Sequence, residues 1–414
     1  MLNSGKVEKQ GVSVENFWLQ KAAEAWRVPA GTPPGELLEK VRGAVGELSD
    51  LFTTERPHDG RFRDYMSDPK LLAAYGLFFF PQSFARADFA VRRLLEIYDW
   101  APKKDASAPL RILDLGSGAA PCGFAAAGIF REKFPGREIV LTALDRSRDA
   151  VSAAREIARE KNAASGNAPK ITVEPLVADL KKLVPAKLSL PPQDLILLGW
   201  SLNEAVPATD DAVPFLKNLA PLLAENGALV VLEPALKITA ERLRRASETF
   251  AETSGNPFYR LAPELGAHPC PLLREGVFWE HEVRKWSPPE TLEFLNRTLF
   301  REIAALKFSW CALGKAPGKK FDVPEGATDI VRLVSPMEAT KTCLRFVCVN
   351  PKGEKRSVEI PTRGLSKSEV KKFAAEWERG DIAVLTGTLS PLGNDGHFRM
   401  ESPGHQTSVI RQLV

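Results

Sequence analysis

Apolar residues recur at helical spacing through the first hundred positions. Between Gly35 and Leu51 the stripe Leu37, Leu38, Val41, Val45 and Leu48 predicts an amphipathic helix. Asp68-Pro69 marks a second helix start, and Leu71–Phe80 follows until Pro81 interrupts it. Phe84–Tyr98 carries another stripe through Phe89, Val91, Leu94, Leu95 and Tyr98. The dense run Tyr75–Phe80 reads as core packing rather than a binding patch.

Beyond position 109 the period changes. Short apolar runs at Arg111–Leu115, Ile139–Leu144, Ile171–Val177, Leu195–Leu198 and Ala228–Leu232 alternate with helical stretches at Gly123–Phe134, Arg148–Lys161 and Asp211–Leu223. Continuous apolar strands separated by helices predict an α/β fold with a doubly wound parallel sheet. Helices at Ala240–Thr253 and Pro289–Leu299 then flank Pro257–Pro289, where six prolines and little periodicity predict a loop-rich lobe. After position 319 the pattern turns to short strands at Ile330–Val334, Cys343–Val349, Ser357–Ile360 and Ile382–Leu389. Turns at Asn350–Gly353 and Gly393–Gly396 separate these strands, and one helix, Lys367–Arg379, is embedded among them. The expected organisation is an N-terminal helical region (1–105), a sheet domain (106–318) carrying the lobe at 257–289, and a small, barrel-like β-rich domain (319–414). Pro102–Pro109, with Lys103-Lys104-Asp105, reads as a linker.

Composition adds boundaries. With 414 residues, 44% hydrophobic and 26% charged, the chain has the make-up of a soluble globular protein of two or three domains. No apolar run reaches the length of a membrane span, and Met1–Gln10 is polar, unlike a signal peptide. Five cysteines at irregular spacing argue against a disulfide framework, so a reducing cytoplasm is expected. The net charge of +4 resides from Lys315 onward, where sixteen Lys and Arg face twelve Asp and Glu. Between Lys341 and Lys372 nine basic residues face three acidic ones, which suits a polyanion or a solvated face.

The chemistry concentrates at Arg-Ile-Leu-Asp-Leu-Gly-Ser-Gly-Ala-Ala-Pro, residues 111–121. A strand ends near Asp114, a tight Gly116-Ser117-Gly118 loop follows, and Pro121 opens a helix. A dinucleotide fingerprint wants a third glycine where Pro121 stands. The pattern instead looks like the first motif of class I S-adenosylmethionine (SAM) methyltransferases, with a Rossmann-like sheet. Glycines let the backbone approach a ligand closely. Asp145, at the next strand end and followed by Arg146, can accept the ribose hydroxyls. Asp179, followed by Leu180, can accept the adenine amino group. Each acid alone could equally cap a helix.

The fourth strand ends in Gly199-Trp200-Ser201-Leu202-Asn203-Glu204. It carries neither the Pro-Pro-Tyr/Phe run of exocyclic-amine methylases nor a Pro-Cys nucleophile. Asn203 and Glu204 are the candidates to orient or deprotonate an acceptor, against a plain helix cap and a surface acid. Cys122, just inside the first helix of the sheet domain, reads as packing.

Residues 60–390 as a whole resemble the methyltransferase-like family that binds the small ribosomal subunit in mitochondria and bacteria. The likeness rests on Asp68-Pro69, Ala73-Ala74-Tyr75, Phe80–Ala85 and Ser201-Leu202-Asn203-Glu204. It extends to Pro269-Cys270-Pro271-Leu272-Leu273, Trp279-Glu280-His281-Glu282, Lys285–Pro289 and Trp377-Glu378-Arg379-Gly380-Asp381. The resemblance implies SAM as cofactor, the small subunit and its rRNA as partners, RNA binding, and a role in ribosome assembly and translation, with no membrane partner. Methyl transfer, a non-catalytic assembly factor that retains SAM, and a small-molecule methyltransferase are the activities it leaves open. In many members four cysteines of the lobe hold an iron–sulfur cluster. The matching positions here are Glu264, Cys270, Glu280 and a residue near Cys348, so the cluster is not expected. Zinc held by Glu264, His268, Cys270, Glu280 and His281 is the rival reading. A metal-free lobe packed on Trp279, Trp286 and Phe278 is preferred to it.

Overall fold

Three helices lead the chain: α1 (Ser4–Trp26), α2 (Pro34–Phe52) and α3 (Pro69–Glu96). In this computed structural model the described residues are 4–52, 64–102, 108–164, 168–206, 210–251, 255–275, 279–301, 303–393, 396–401 and 410–413. The linker residues Lys103-Lys104-Asp105, the centre of the Gly393–Gly396 turn and Phe278 lie outside them.

The α3 helix departs from expectation. Pro81 lies within it and does not end it. A mid-helix proline costs about 3 kcal/mol. Leu77, Phe78 and Phe80 before it, and Ala87, Ala90, Val91 and Leu94 after it, are all buried. At about 1.5–3 kcal/mol for each fully buried large apolar side chain, that burial outweighs the break.

The chain packs as two compact units that interleave along the sequence. The first comprises Met1–Arg92, Ala101–Glu233 and Lys285–Leu306; the second comprises Arg93–Trp100, Pro234–Arg284 and Lys307–Val414.

The first unit is built on β1 (Leu110–Leu115), β2 (Ile139–Asp145), β3 (Ile171–Val177), β4 (Gln193–Gly199) and β5 (Leu223–Pro234). They run parallel in the order β3-β2-β1-β4-β5. Helices α4 (Pro121–Lys133) and α5 (Arg148–Ala164) connect the first strands. Helices α6 (Leu202–Ala205) and α7 (Val213–Asn218) lie between β4 and β5. The helix expected over Asp211–Leu223 is shorter, giving way to a 3-10 turn at Ala220–Leu222, where Pro221 supplies no helical N–H. β1 and β4 are buried almost throughout, as a sheet covered on both faces requires.

The second unit contains α8 (Lys237–Thr249), β6 (Tyr259–Ala262), α9 (Pro271–Glu275), β7 (Glu282–Lys285) and β8 (Ala305–Gly314), while α10 (Glu290–Thr298) belongs to the first. β8 pairs antiparallel with β6 and also pairs β7. Its second sheet comprises β9 (Asp329–Leu333), β10 (Glu338–Ala339), β11 (Cys343–Val349), β12 (Lys355–Pro361), β13 (Ile382–Leu385), β14 (Thr388–Pro391), β15 (His397–Glu401) and β16 (Ile410–Gln412), with α11 (Lys367–Ala375) between β12 and β13. The strand expected over Ile382–Leu389 breaks at Thr386-Gly387, and the helix expected to Arg379 ends at Ala375.

That break closes a barrel. β13 pairs β9, and β14, two residues on, pairs β15. β15 runs parallel to β12, and β12, β11 and β9 continue antiparallel. A five-strand circuit with a helix between its third and fourth strands has the connectivity of an OB barrel. Its interior holds Leu344, Phe346, Val358, Ile360, Ala383 and Met400.

Candidate functional site

In an open parallel sheet, ligands bind outside the carboxyl ends of the strands where the winding reverses. Here that point lies between β1 and β4. Gly116 and Gly118 follow β1 with φ of +67° and +53°. A Cβ on Gly116 would run into the Cβ of Ser201, whose hydroxyl donates to the Leu115 carbonyl at 2.7 Å. A Cβ on Gly118 would stand 3.3 Å from the Met66 methyl and the Tyr75 hydroxyl. The loop is therefore held between β4 and the segment before and within α3. Ser117 is buried, its hydroxyl donating to the Gly118 carbonyl at 3.1 Å.

Asp114 is buried and accepts from the Gly123 backbone at 2.8 Å, so it caps α4 from below. Burial pushes its carboxyl up to about 7, with Asp145 adding repulsion and the Gly123 bond opposing. Asp145, half-buried at the end of β2, accepts from Gly118 N at 2.8 Å and from Ser147 N at 2.9 Å. Burial raises its carboxyl as well, against those two bonds. Arg146 is exposed. Asp179 caps the next 3-10 turn by accepting from Lys181 N at 3.0 Å, and Leu180 reaches to within 3.5 Å of a Gly116 Cβ. The glycine loop, Asp145 and Leu180 thus meet at the mouth of the switch point. Asp114 sits beneath it.

At the end of β4, Asn203 is buried and donates to Glu233 Oε2 at 2.7 Å, while Glu204 is half-exposed. Tyr65 and Tyr75 lie near Glu204 and Asp145: burial pushes both hydroxyls well up, and those carboxylates push further. Trp200 holds a left-handed φ of +60°, rare for an aromatic residue, with Arg86 5.4 Å over its ring. Sequence reasoning missed Tyr65, Arg86 and Trp200 and read Tyr75 as core. Helical spacing alone does not separate Tyr75, whose hydroxyl meets Gly118, from its buried neighbours Leu77 and Phe78.

The lobe, in the second unit, has its own geometry. Glu264 pairs with Arg244 and, at 3.5 Å, with Arg260. Glu280 pairs with Arg332 and, at 3.1 Å, with Arg244. Cys270 Sγ donates to Glu280 Oε2 at 3.7 Å. Glu264, Cys270, Glu280 and Arg332, with His268 and Val349, line a cavity of about 20 Å³, room for one water. Strand alternation turns Cys348 the other way, into the barrel core, where burial pushes its thiol up to about 12. The fourth position at the lobe is therefore Val349, packed with Cys270, Leu272 and Val334. His281 stacks on Trp279 with its Nε2 3.4 Å from Arg379, and burial followed by that guanidinium lowers its pKa to about 4. One thiol, two arginine-bound carboxylates and a water-sized space do not fit an iron–sulfur cluster. Among the described residues no three His, Cys, Asp or Glu side chains converge as a metal-holding set. Trp286, placed in the first unit, donates from its indole nitrogen to the Ile303 carbonyl at 3.1 Å.

On the barrel, the basic segment is partly neutralised. Arg345 pairs with Glu359 at 2.6 Å, and Arg356 pairs with Asp329 and Glu354. Lys341, Lys352, Lys355, Arg363, Lys367, Lys371 and Lys372 are the other cations of that segment, most of them exposed. No helix among the described residues is long and apolar enough to cross a membrane.

The strand order and the glycine loop define a class I SAM-methyltransferase-like protein with a Rossmann-like sheet. The family described as mitochondrial small ribosomal subunit Rsm22 matches residues 70–382, and the chain belongs to that family. No curated protein matches it. Among solved structures, a Listeria monocytogenes protein described as of the class I SAM-dependent methyltransferase type is 13% identical, with 75% of this chain and 90% of that one covered at a TM-score of 0.36. A ribosomal protein L11 methylase from Lactobacillus delbrueckii subsp. bulgaricus is 15% identical over 58% of this chain and 80% of that one, with a TM-score of 0.28. The arsenic(III) SAM methyltransferase of Chlamydomonas reinhardtii is 16% identical over 61% and 80%, with a TM-score of 0.26. At such TM-scores these likenesses carry no weight, and the fold class rests on the strand order.

Proposed function

We propose that the first unit binds SAM and that the protein acts on the small ribosomal subunit, transferring a methyl group to its RNA or to one of its components. The observation that carries this reading is the Gly116–Gly118 loop held against Asp145 at the switch point. Asp114, Gly116, Ser117, Gly118, Asp145 and Arg146, with Asp179 and Leu180, are the cofactor-binding set: Asp145 for the ribose, Asp179 and Leu180 for the adenine, and the glycines for close backbone approach. Bound SAM supplies an electrophilic methyl group. Glu204, half-exposed beside Tyr65 and Tyr75, is the candidate to position or deprotonate an acceptor. Family membership supports the small subunit as partner. The barrel, with its OB connectivity and exposed lysines, is the candidate rRNA-binding module.

One observation favours a second reading, in which SAM is bound without turnover. Asn203, the other candidate at the end of β4, is buried and committed to Glu233. Incubating the full chain with methyl-labelled SAM and isolated small subunits separates the two. Label retained in rRNA or protein supports transfer; SAM binding and co-sedimentation with subunits, without retained label, supports the assembly-factor reading. A chain that neither binds SAM nor co-sediments with small subunits overturns both.

A further inference from the structure

The lobe gathers residue types that ordinarily ligate metals, and both of its carboxylates are paired with arginines, although His268 Nε2 and Glu264 Oε2 neither accept nor donate a hydrogen bond among the described residues. Glu264 and Glu280, nine-tenths or more buried, face Arg244 and Arg332, which are buried to a similar degree. The chain of pairs continues. Arg332 reaches Glu282 at 2.7 Å, Glu282 reaches Arg284 at 2.5 Å, and Arg284 reaches Asp381 at 2.5 Å. Arg93 completes it with a 3.3 Å contact to Asp381. The network therefore ties α8, the lobe, β7, β9 and the loop after α11 into one connected set. A carboxylate that binds a metal must lend it a lone pair. Here two guanidinium groups already point their N–H donors at those lone pairs and supply the positive charge a cation would bring.

We propose that Arg244 and Arg332 take the place of a metal in this lobe, so that buried arginine–carboxylate pairs, rather than a metal centre, cross-link it to the barrel within the second unit. The role is structural, and it goes beyond the methyltransferase reading without depending on it. Removing one partner of a buried pair leaves an uncompensated charge, whereas removing both leaves none. The four residues should therefore behave as coupled pairs, not as independent contributors.

Two measurements on the full chain test this. The first is iron, zinc and acid-labile sulfide in protein purified anaerobically from iron-supplemented cells, with thermal melting before and after treatment with a chelator. The expected result is substoichiometric metal and an unchanged melting temperature. Stoichiometric iron or zinc overturns the proposal, whatever the chelator then does. The second is a cycle of Glu280→Gln, Arg332→Met and the double variant. Each single change should lower the melting temperature of the second unit by on the order of 10 °C, and the double change should cost clearly less than their sum. Additive losses would overturn the coupling. If the variants do not fold, the metal analysis of the unmodified protein still decides.

Discussion

The carboxylate of Asp145 accepts a 2.8 Å hydrogen bond from the backbone nitrogen of Gly118, so the acid that closes β2 also fixes the loop that closes β1. One side chain therefore sets both the loop conformation and the proposed ribose acceptor. Asp145→Ala should weaken SAM binding by about ten- to a hundredfold, since losing hydrogen bonds to a charged group costs about 1.5–3 kcal/mol. Calorimetric titration of both proteins with SAM measures it. Equal affinity would remove Asp145 from the cofactor site.

Asp114 predicts a pH dependence of stability. Its folded pKa, about 7, lies above its unfolded value of about 4, so the native state holds the extra proton. That contribution is complete below about pH 4 and is lost as pH rises through about 7. Asp114→Asn keeps an acceptor for Gly123 N without the charge. The variant should gain stability relative to the parent between about pH 5 and 8 by on the order of 1–3 kcal/mol, discounted from the full shift because buried sites relax. Urea melts at several pH values read it directly. A variant that loses stability across that pH range would show that folding does not raise the Asp114 pKa.

Gly380 stands at φ +98°, and a Cβ there would overlap the Glu282 carboxylate, itself bound to Arg284 and Arg332. Gly380→Ala combines backbone strain of about 1–3 kcal/mol with displacement of a buried charge. A loss of about 3 kcal/mol or more is expected in denaturant unfolding. An alanine variant as stable as the parent would mean that this approach of chain to carboxylate is not tight in solution.

The parallel sheet was legible because most of its strands are apolar runs that stop at or within two residues of a glycine or an acid. Four of the five expected strands lie within two residues of those observed, at β1, β2, β3 and β4. The long α3 was not legible, because Pro81 signals a stop that only tertiary burial overrides. Nor was the buried network. Arg244, the Glu282–Arg284 pair and Arg332 stand far apart in sequence, and charged residues in helices and strands read as solvent-facing until the fold brings them together. The one-residue choice between Cys348 and Val349 needed the strand's facing, which spacing alone leaves open.

The proposed role of the barrel in binding rRNA is testable at α11 and the residues just before it. Arg363, just before α11, and Lys367 and Lys371 within it are exposed, whereas Arg345 and Arg356 are already paired with carboxylates. Phosphate contacts release counterions, so binding of small-subunit rRNA should weaken steeply between about 50 and 200 mM salt. Replacing the three by alanine should reduce the slope of log affinity against log salt by about 0.7 for each phosphate no longer neutralised, with Arg345→Ala changing it less. Sequence preference should be slight, since the exposed face carries few aromatic platforms for stacked bases. Filter binding at graded salt, on the full chain and the variants, gives the slopes. An unchanged slope in the triple variant would remove α11 from the RNA interface and leave its lysines as a solvated face.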